Sequence, residues 1–254
     1  YISINAAPIR DESGALVGGI GTFMDVTHRR LAIQQKDEFI SVASHELRTP
    51  ITSLKASLQL LDRMKDNPHA VIMPKLISQS NKSLNKVSIL IDDLLNATKM
   101  TEGHLALNKT NFALSSMVAE SCQHVRAEGV FSIEATGDES LTVNADMFKI
   151  EQVLVNLVNN AVKYAPDSKT IEVRFVKEGQ NAKVSVTDYG PGIPEEKFPH
   201  LFERYYRVSS VGHQYSGLGL GLYISSEIIK KHGGSIGVES ELDKGTTFWF
   251  TLPL

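Results

Sequence analysis

A chain of 254 residues with 42% hydrophobic and 22% charged residues has the composition of a folded globular protein and the length for two ordinary domains. Its net charge of −3 leaves no cationic footprint for a polyanion, which argues against DNA or RNA as a partner. No apolar run reaches the roughly eighteen residues that cross a bilayer, so membrane contact within this segment is not expected.

The elements are read in chain order. Residues 1–25 are expected to form two strands: Ile2 and Ile4 alternate with Tyr1 and Ser3, Asp11-Glu12-Ser13-Gly14 is turn chemistry, and Leu16 to Phe23 is an apolar, Gly-broken strand. Two strands bury no core alone, so they read as the end of a larger sheet domain. The first residue is Tyr1 rather than methionine. The chain is therefore expected to be a piece of a longer protein, cytoplasmic in this segment and open to a membrane anchor upstream.

From residue 28 to about 100 the period changes to that of two long helices. Ile40, Ala43, Leu47, Ile51, Leu54, Leu58 and Leu61 form one heptad-like seam, and Ile77, Leu84, Val87, Ile91, Leu94 and Leu95 form a second, with the turn at Asp66-Asn67-Pro68. Each seam needs more cover than one neighbouring helix supplies, which predicts a homodimer through helices 28–100 as a four-helix bundle. Beyond residue 105 strands and helices mix. A strong helix lies within Val143 to Tyr164, a hairpin joins Ile171–Phe175 to Val184–Val186, and a helix spans Leu220 to His232. Ile236 to Val238 and Phe248 to Leu252 form a last hairpin. This pattern predicts an α/β sandwich with an antiparallel or mixed sheet. The single cysteine, Cys122, reads as a small buried apolar residue on a helix and fits a reducing compartment.

Five short segments carry the chemistry. In His45-Glu46-Leu47-Arg48-Thr49-Pro50, His45 projects nearly opposite the apolar seam, where another domain can reach a neutral imidazole lone pair. Glu46 can orient the ring and accept its proton, and Thr49 lies four residues on. Pro50 removes the N–H that would bond the carbonyl of Glu46. In Asn156-Leu157-Val158-Asn159-Asn160, the side-chain oxygens of Asn156 and Asn160 share a helix face and can serve Mg²⁺. Lys163 follows on the same side as a phosphate contact. Asp188-Tyr189-Gly190-Pro191-Gly192 places a carboxylate at a strand end, able to accept from an amino group such as adenine's. Gly217-Leu218-Gly219-Leu220-Gly221-Leu222 opens a helix and aims backbone N–H groups at an anion, yet it is neither a Walker loop nor a Rossmann fingerprint. Gly245-Thr246-Thr247-Phe248 is the fifth. Between Asp188 and Gly217, the segment with Phe198, Phe202, Arg204, Tyr205, Tyr206, Arg207 and Ser209-Ser210 lacks a period and reads as a lid, with Arg207 available for phosphate charge. The plain alternatives are a solvated histidine, a polar helix face, a surface turn and ordinary helix packing.

In order and spacing, these segments resemble a sensor histidine kinase over residues 28 to 254. The expected fold is α+β: a two-helix hairpin that forms a dimeric four-helix bundle, then a nucleotide-binding domain of the Bergerat, or GHKL, type. The hairpin at 1–25, with Ala6-Ala7-Pro8 and Asp25-Val26-Thr27, resembles the last strands of a PAS sensor domain. The domains are then 1–25, 26–104 (signal helix and dimerisation/phosphotransfer helices) and 105–254 (catalytic, ATP-binding). The resemblance implies His45 as the phosphorylated residue, Glu46 as its acid/base partner, and Thr49 as orienting water in dephosphorylation of a partner. It implies Mg²⁺-linked Asn156 and Asn160, and nucleotide contacts from Lys163, Tyr164, Asp188, Gly190, Gly192, Arg207, Gly217, Leu218, Gly219, Leu220, Gly221 and Thr246. The implied reaction is ATP-dependent autophosphorylation, then transfer to an aspartate of a response regulator receiver domain. Tyr189 departs from the family, many members of which carry asparagine there. A chaperone-, gyrase- or mismatch-repair-type ATPase would share the nucleotide motifs without needing His45 and Glu46, and a non-catalytic scaffold would keep only the fold.

Overall fold

The computed structural model describes residues 1–66, 69–101, 106–126, 132–166, 168, 170–206 and 218–254, in two compact units, Tyr1–Arg48 and Thr49–Leu254. In the first unit, β1 (Ile2–Arg10) and β2 (Leu16–Asp25) pair antiparallel. Asp11 builds the turn between them, its Oδ1 accepting the N–H groups of Ser13 and Ala15, each at 2.9 Å. Ile4 and Phe23 remain 63% and 74% exposed, as two strands without a partner layer require. Helix α1 (Thr27–Arg63) starts in this unit, and its residues from Thr49 onward belong to the second. The helix runs through Pro50, which has no N–H to give the carbonyl of Glu46.

The second unit holds the remainder of α1 and α2 (Ile72–Thr101). Gln79 donates from Nε2 to Ser53 Oγ at 3.2 Å, and the small side chains of Ser57, Ser80 and Ser83 are buried. The apolar seam lies elsewhere on these helices. Ile51, Leu58, Ile77, Leu84, Ile91 and Leu95 are all 45–53% exposed, so the chain itself does not cover them.

There follow β3 (Thr110–Ala113), α3 (Leu114–Arg126), β4 (Ser132–Gly137), β5 (Thr142–Ala145), α4 (Met147–Tyr164), β6 (Thr170–Glu178), β7 (Asn181–Asp188), α5 (Gly221–Lys231), β8 (Ile236–Glu241) and β9 (Gly245–Pro253). The five-stranded sheet has the order β4-β6-β7-β9-β8 and is mixed: β4 runs parallel to β6, and the other pairs are antiparallel. Strands β3 and β5 form a separate antiparallel pair. The sequence pattern anticipates the hairpins and α4, but the short elements α3, β3 and β5 carry too few periods to read. Helices α3, α4 and α5 pack on one sheet face. Ile171, Val173, Val184 and Phe250 there meet Ile150, Leu154, Leu157 and Ile228, all fully buried. Cys122 is buried on α3, as its plain reading predicts. Among the described residues no helix is long and apolar enough to cross a membrane.

Candidate functional site

Helix α4 is fixed by its apolar stripe. Ile150, Val153, Leu154, Leu157, Val158 and Ala161 are buried, so a 3.6-residue period leaves Asn156, Asn160 and Lys163 on the half-buried opposite side. Asp146 caps its start, accepting the N–H of Lys149 at 3.2 Å.

Strand alternation places the carboxylate. Ala182, Val184 and Val186 face the helices, and Asp188 continues their phase at the end of β7, so its side chain enters the covered side and is only 6% exposed. Across the sheet it pairs with Thr246, itself 5% exposed and in phase with buried Phe248 and Phe250. Burial pushes the Asp188 carboxyl pKa up, and N–H donation from Gly190 (2.9 Å) and Thr246 partly offsets this. The following turn is stapled to the β8–β9 turn: Ile193 N–H donates to Ser240 Oγ and Asp243 N–H to the Pro191 carbonyl, both at 2.9 Å. Gly192 has φ +72°, and a Cβ there would stand 2.2 Å from the Glu241 carbonyl oxygen, so no other residue fits. Tyr189, the family departure, lays its ring outside this turn and donates its hydroxyl to Glu172 on β6.

The Gly-Leu alternation divides its labour. Leu218 and Leu220 are buried anchors, 5% and 1% exposed, and Gly219 turns the chain with φ +66°. Helix α5 then begins at Gly221 without a side-chain cap, leaving first-turn N–H groups at the pocket's edge. A Cβ on Gly221 would lie 2.3 Å from Asn156 Oδ1, and Asn156 Nδ2 donates to Ser225 Oγ at 3.0 Å.

One pocket in the second unit gathers Asn156, Asn160, Lys163, Tyr164, Asp188, Gly192, Leu218, Gly219, Leu220, Gly221 and Thr246. Gly190 stands behind it, bonded to Asp188. The Lys163 ammonium lies 3.1 Å from the Tyr164 hydroxyl and 4.6 Å from the centre of its ring. Arg207, Gly217 and the residues between them lie outside the described residues, so the lid reading is carried only as far as Tyr206. His45 is exposed on α1 in the first unit with Glu46 half-buried beside it, and exposed Thr49 opens the second.

The pocket also contains Pro191, Tyr206, Leu222 and Phe248 from the segments singled out in the sequence, and three residues that are not: Asp93, Ile193 and Leu201. Burial, and then the neighbouring Asp92, push the Asp93 carboxyl pKa up to about 6. In the sequence, Asp92-Asp93 has the look of a solvated helix face. Only the packing of α2 against α5 turns one of the pair inward.

Comparison with known proteins gives two family matches. Residues 35–103 match the His Kinase A (phospho-acceptor) domain, and residues 145–254 match the Histidine kinase-, DNA gyrase B-, and HSP90-like ATPase family. Sensor histidine kinase WalK of Bacillus subtilis (strain 168) is 32% identical across 99% of this chain and 42% of its own length. The chain thus spans about two fifths of that relative. Among solved structures, Acinetobacter baumannii histidine kinase AdeS matches with TM-score 0.60 and 27% identity, over 82% of this chain and 97% of that one. Histidine kinase ThkA, solved in complex with response regulator protein TrrA, matches with TM-score 0.60 and 27% identity, over 98% and 74%. Phosphoacceptor helices and an ATPase fold follow each other on one chain, and the second carries a pocket with an uncapped helix start and a buried aspartate: the chain belongs to the sensor histidine kinases of two-component signal transduction.

Proposed function

We propose that this chain binds ATP in the Asp188–Gly221 pocket, phosphorylates its own His45, and passes the phosphoryl group to an aspartate of a response regulator receiver domain. The observation that carries the nucleotide half is the convergence of Asp188, Asn160, Lys163 and the uncapped start of α5 on one pocket. An acid that is buried at one point and a helix start without a side-chain cap at another suit a ligand with a hydrogen-bond donor at one end and anionic oxygens at the other. The Gly221–Asn156 contact supports the fit, because the backbone there approaches closely where any side chain would fill the space.

In the chemical step a nitrogen lone pair of His45 attacks the γ-phosphorus, the bond to the β-bridging oxygen breaks, and ADP leaves with that electron pair. The ring proton released goes to Glu46. Positioning and charge neutralisation supply most of the acceleration. Among the described residues no cluster of three His, Cys, Asp or Glu side chains exists to hold a metal by itself. Asn156 and Asn160, whose side chains line the pocket on one face of α4, would hold Mg²⁺ together with phosphate oxygens, and the ion would supply charge neutralisation at the phosphates. The exposed seam of Ile51, Leu58, Leu84 and Leu95 supports a homodimer through α1 and α2. Thr49, one turn from His45, is assigned to orienting water in dephosphorylation of the regulator.

The test is incubation with γ-labelled ATP. The parent chain takes up acid-labile label, and His45→Gln loses it while still binding nucleotide. Phosphate release without protein labelling would point instead to a simple ATPase.

A further inference from the structure

Helix α5 ends on a side chain that reaches beyond its own helix. His232 follows Lys231 at the C-cap, with its backbone N–H 3.2 Å from the Ile228 carbonyl oxygen and 3.0 Å from that of Ile229. Its imidazole is 5% exposed. Nε2 accepts the backbone N–H of Asp146 at 3.0 Å, so the ring proton sits on Nδ1, which donates to the Ile228 carbonyl at 2.8 Å. Asp146 is the N-cap of α4, 7% exposed, and its two carboxylate oxygens are occupied by Lys149 N–H at 3.2 Å and Asn108 N–H at 2.9 Å. A single neutral ring therefore bridges the last turn of one helix and the first residue of the other.

These are the two helices that build the pocket, and they meet at a second directional point. There Asn156 Nδ2 donates to Ser225 Oγ at 3.0 Å, beside Gly221. Between the two points the contact is apolar, through buried side chains such as Leu157 and Ile228. Apolar packing is non-directional and tolerates sliding, whereas a pair of hydrogen bonds at a helix end does not.

We propose that His232 is a positioning residue for the nucleotide site: by tying α5 to the cap of α4, it sets the height of the α5 first-turn amides against Asn156 and Asn160. The inference rests on reading the pocket as a nucleotide site. It assigns the effect to the bond with Asp146, because the bond to Ile228 stays within α5.

Two variants separate those bonds. In His232→Gln the side-chain oxygen extends as far as Nε2 and keeps the Asp146 N–H satisfied. In His232→Asn the shorter amide reaches only the Ile228 carbonyl. The affinity of a fluorescent trinitrophenyl-ATP analogue and the unfolding temperature of the free protein are measured for each. The expected result is Gln within about twofold of the parent and Asn roughly tenfold weaker, the latter corresponding to one buried donor left unpaired. Asn binding as tightly as the parent, or both variants weakening in step with their melting temperatures, would overturn the positioning role while leaving the site assignment intact. A parent chain that fails to bind the analogue sinks the nucleotide reading and this inference with it. If His232→Asn does not fold, ¹⁵N-histidine spectra of the parent decide. An Nδ1–H tautomer at His232 whose shift moves on nucleotide binding upholds the role, and an Nε2–H tautomer or an unmoved resonance overturns it.

Discussion

Gly221 and Asn156 stand so close that a Cβ on the glycine would lie 2.3 Å from the side-chain oxygen of the asparagine. Alanine favours helix over glycine, so Gly221→Ala does not endanger α5 as a helix. It forces either Asn156 or the helix start to move. Nucleotide affinity is expected to fall by roughly tenfold or more while the circular dichroism spectrum stays that of the parent. Unchanged affinity would mean that the pocket does not use this contact.

Asp188 is held in a site that disfavours its charge. A carboxyl whose folded pKa lies above its ordinary 3.8 binds more protons folded than unfolded, so stability falls as pH rises from that ordinary value through the folded one. Asp188→Asn keeps an oxygen for the N–H groups of Gly190 and Thr246 without the charge. The free protein should melt higher at pH 7, whereas adenine-nucleotide affinity falls roughly ten- to a hundredfold with the loss of a charge-assisted bond. Calorimetry paired with a binding titration reads both, and a variant that binds like the parent would remove Asp188 from the base-reading role.

His232 gives the opposite pH signature. Burial holds its pKa below the ordinary 6.5 and Lys109 adds to this, while the Ile228 carbonyl and Asp146 oppose it. The unfolded chain therefore takes up the proton first, and stability declines as pH drops below about 6.5. Urea unfolding of the parent between pH 7.5 and 5.5 should show this slope less His232→Gln, whose own slope is shallower. Equal slopes would place the acid sensitivity elsewhere.

Asp93 introduces a carboxylate into a pocket read as holding phosphates. Its pKa near 6 means that it is charged at pH 8 and neutral at pH 5. Asp93→Asn should tighten nucleotide binding several-fold at pH 8 by removing like-charge repulsion, with little change at pH 5. The packing of α2 against α5 favours the neutral acid and strengthens as pH falls through 6. A gain of equal size at both pH values would rule out charge as its cause.

Leu84 and Leu95 are 52% and 53% exposed on α2. Replacing both with aspartate should halve the mass measured by light scattering, without loss of nucleotide affinity. A dimer that persists would place the interface on another face.

Much of this architecture is legible in the residues themselves. The 3.6 period of α4 and the alternation of β7 carry enough repeats to fix which side chains point inward. Asn156 and Asn160 could therefore be placed on one helix face and Asp188 at a strand end, while their membership of one site came from the resemblance in motif order. The glycines at 190, 192 and 221 could be singled out, but the reason for each could not: the close neighbours of Gly192 and Gly221 come from Glu241 and Asn156, far along the chain. The roles of Asp93 and His232 are hidden in the sequence for the same reason. Each looks like an ordinary helix residue until a helix distant in sequence is laid beside it. Tyr189 was legible as a departure from its relatives, yet its partner Glu172 lies on another strand, where only the β6–β7 register brings it near.

The register of β7 against β9 has a kinetic consequence. Hairpins β6–β7 and β8–β9 each close over a short turn, but the pairing that sets Asp188 opposite Thr246 must close over residues 189–245, which include α5 and β8. Closing that long loop is entropically the hardest of the antiparallel pairings, so both hairpins can zip early while the strand pair between them waits. A refolding chain thus acquires most of its strands before it has anywhere to put a nucleotide, and adding ATP to the refolding mixture should slow unfolding far more than it hastens folding.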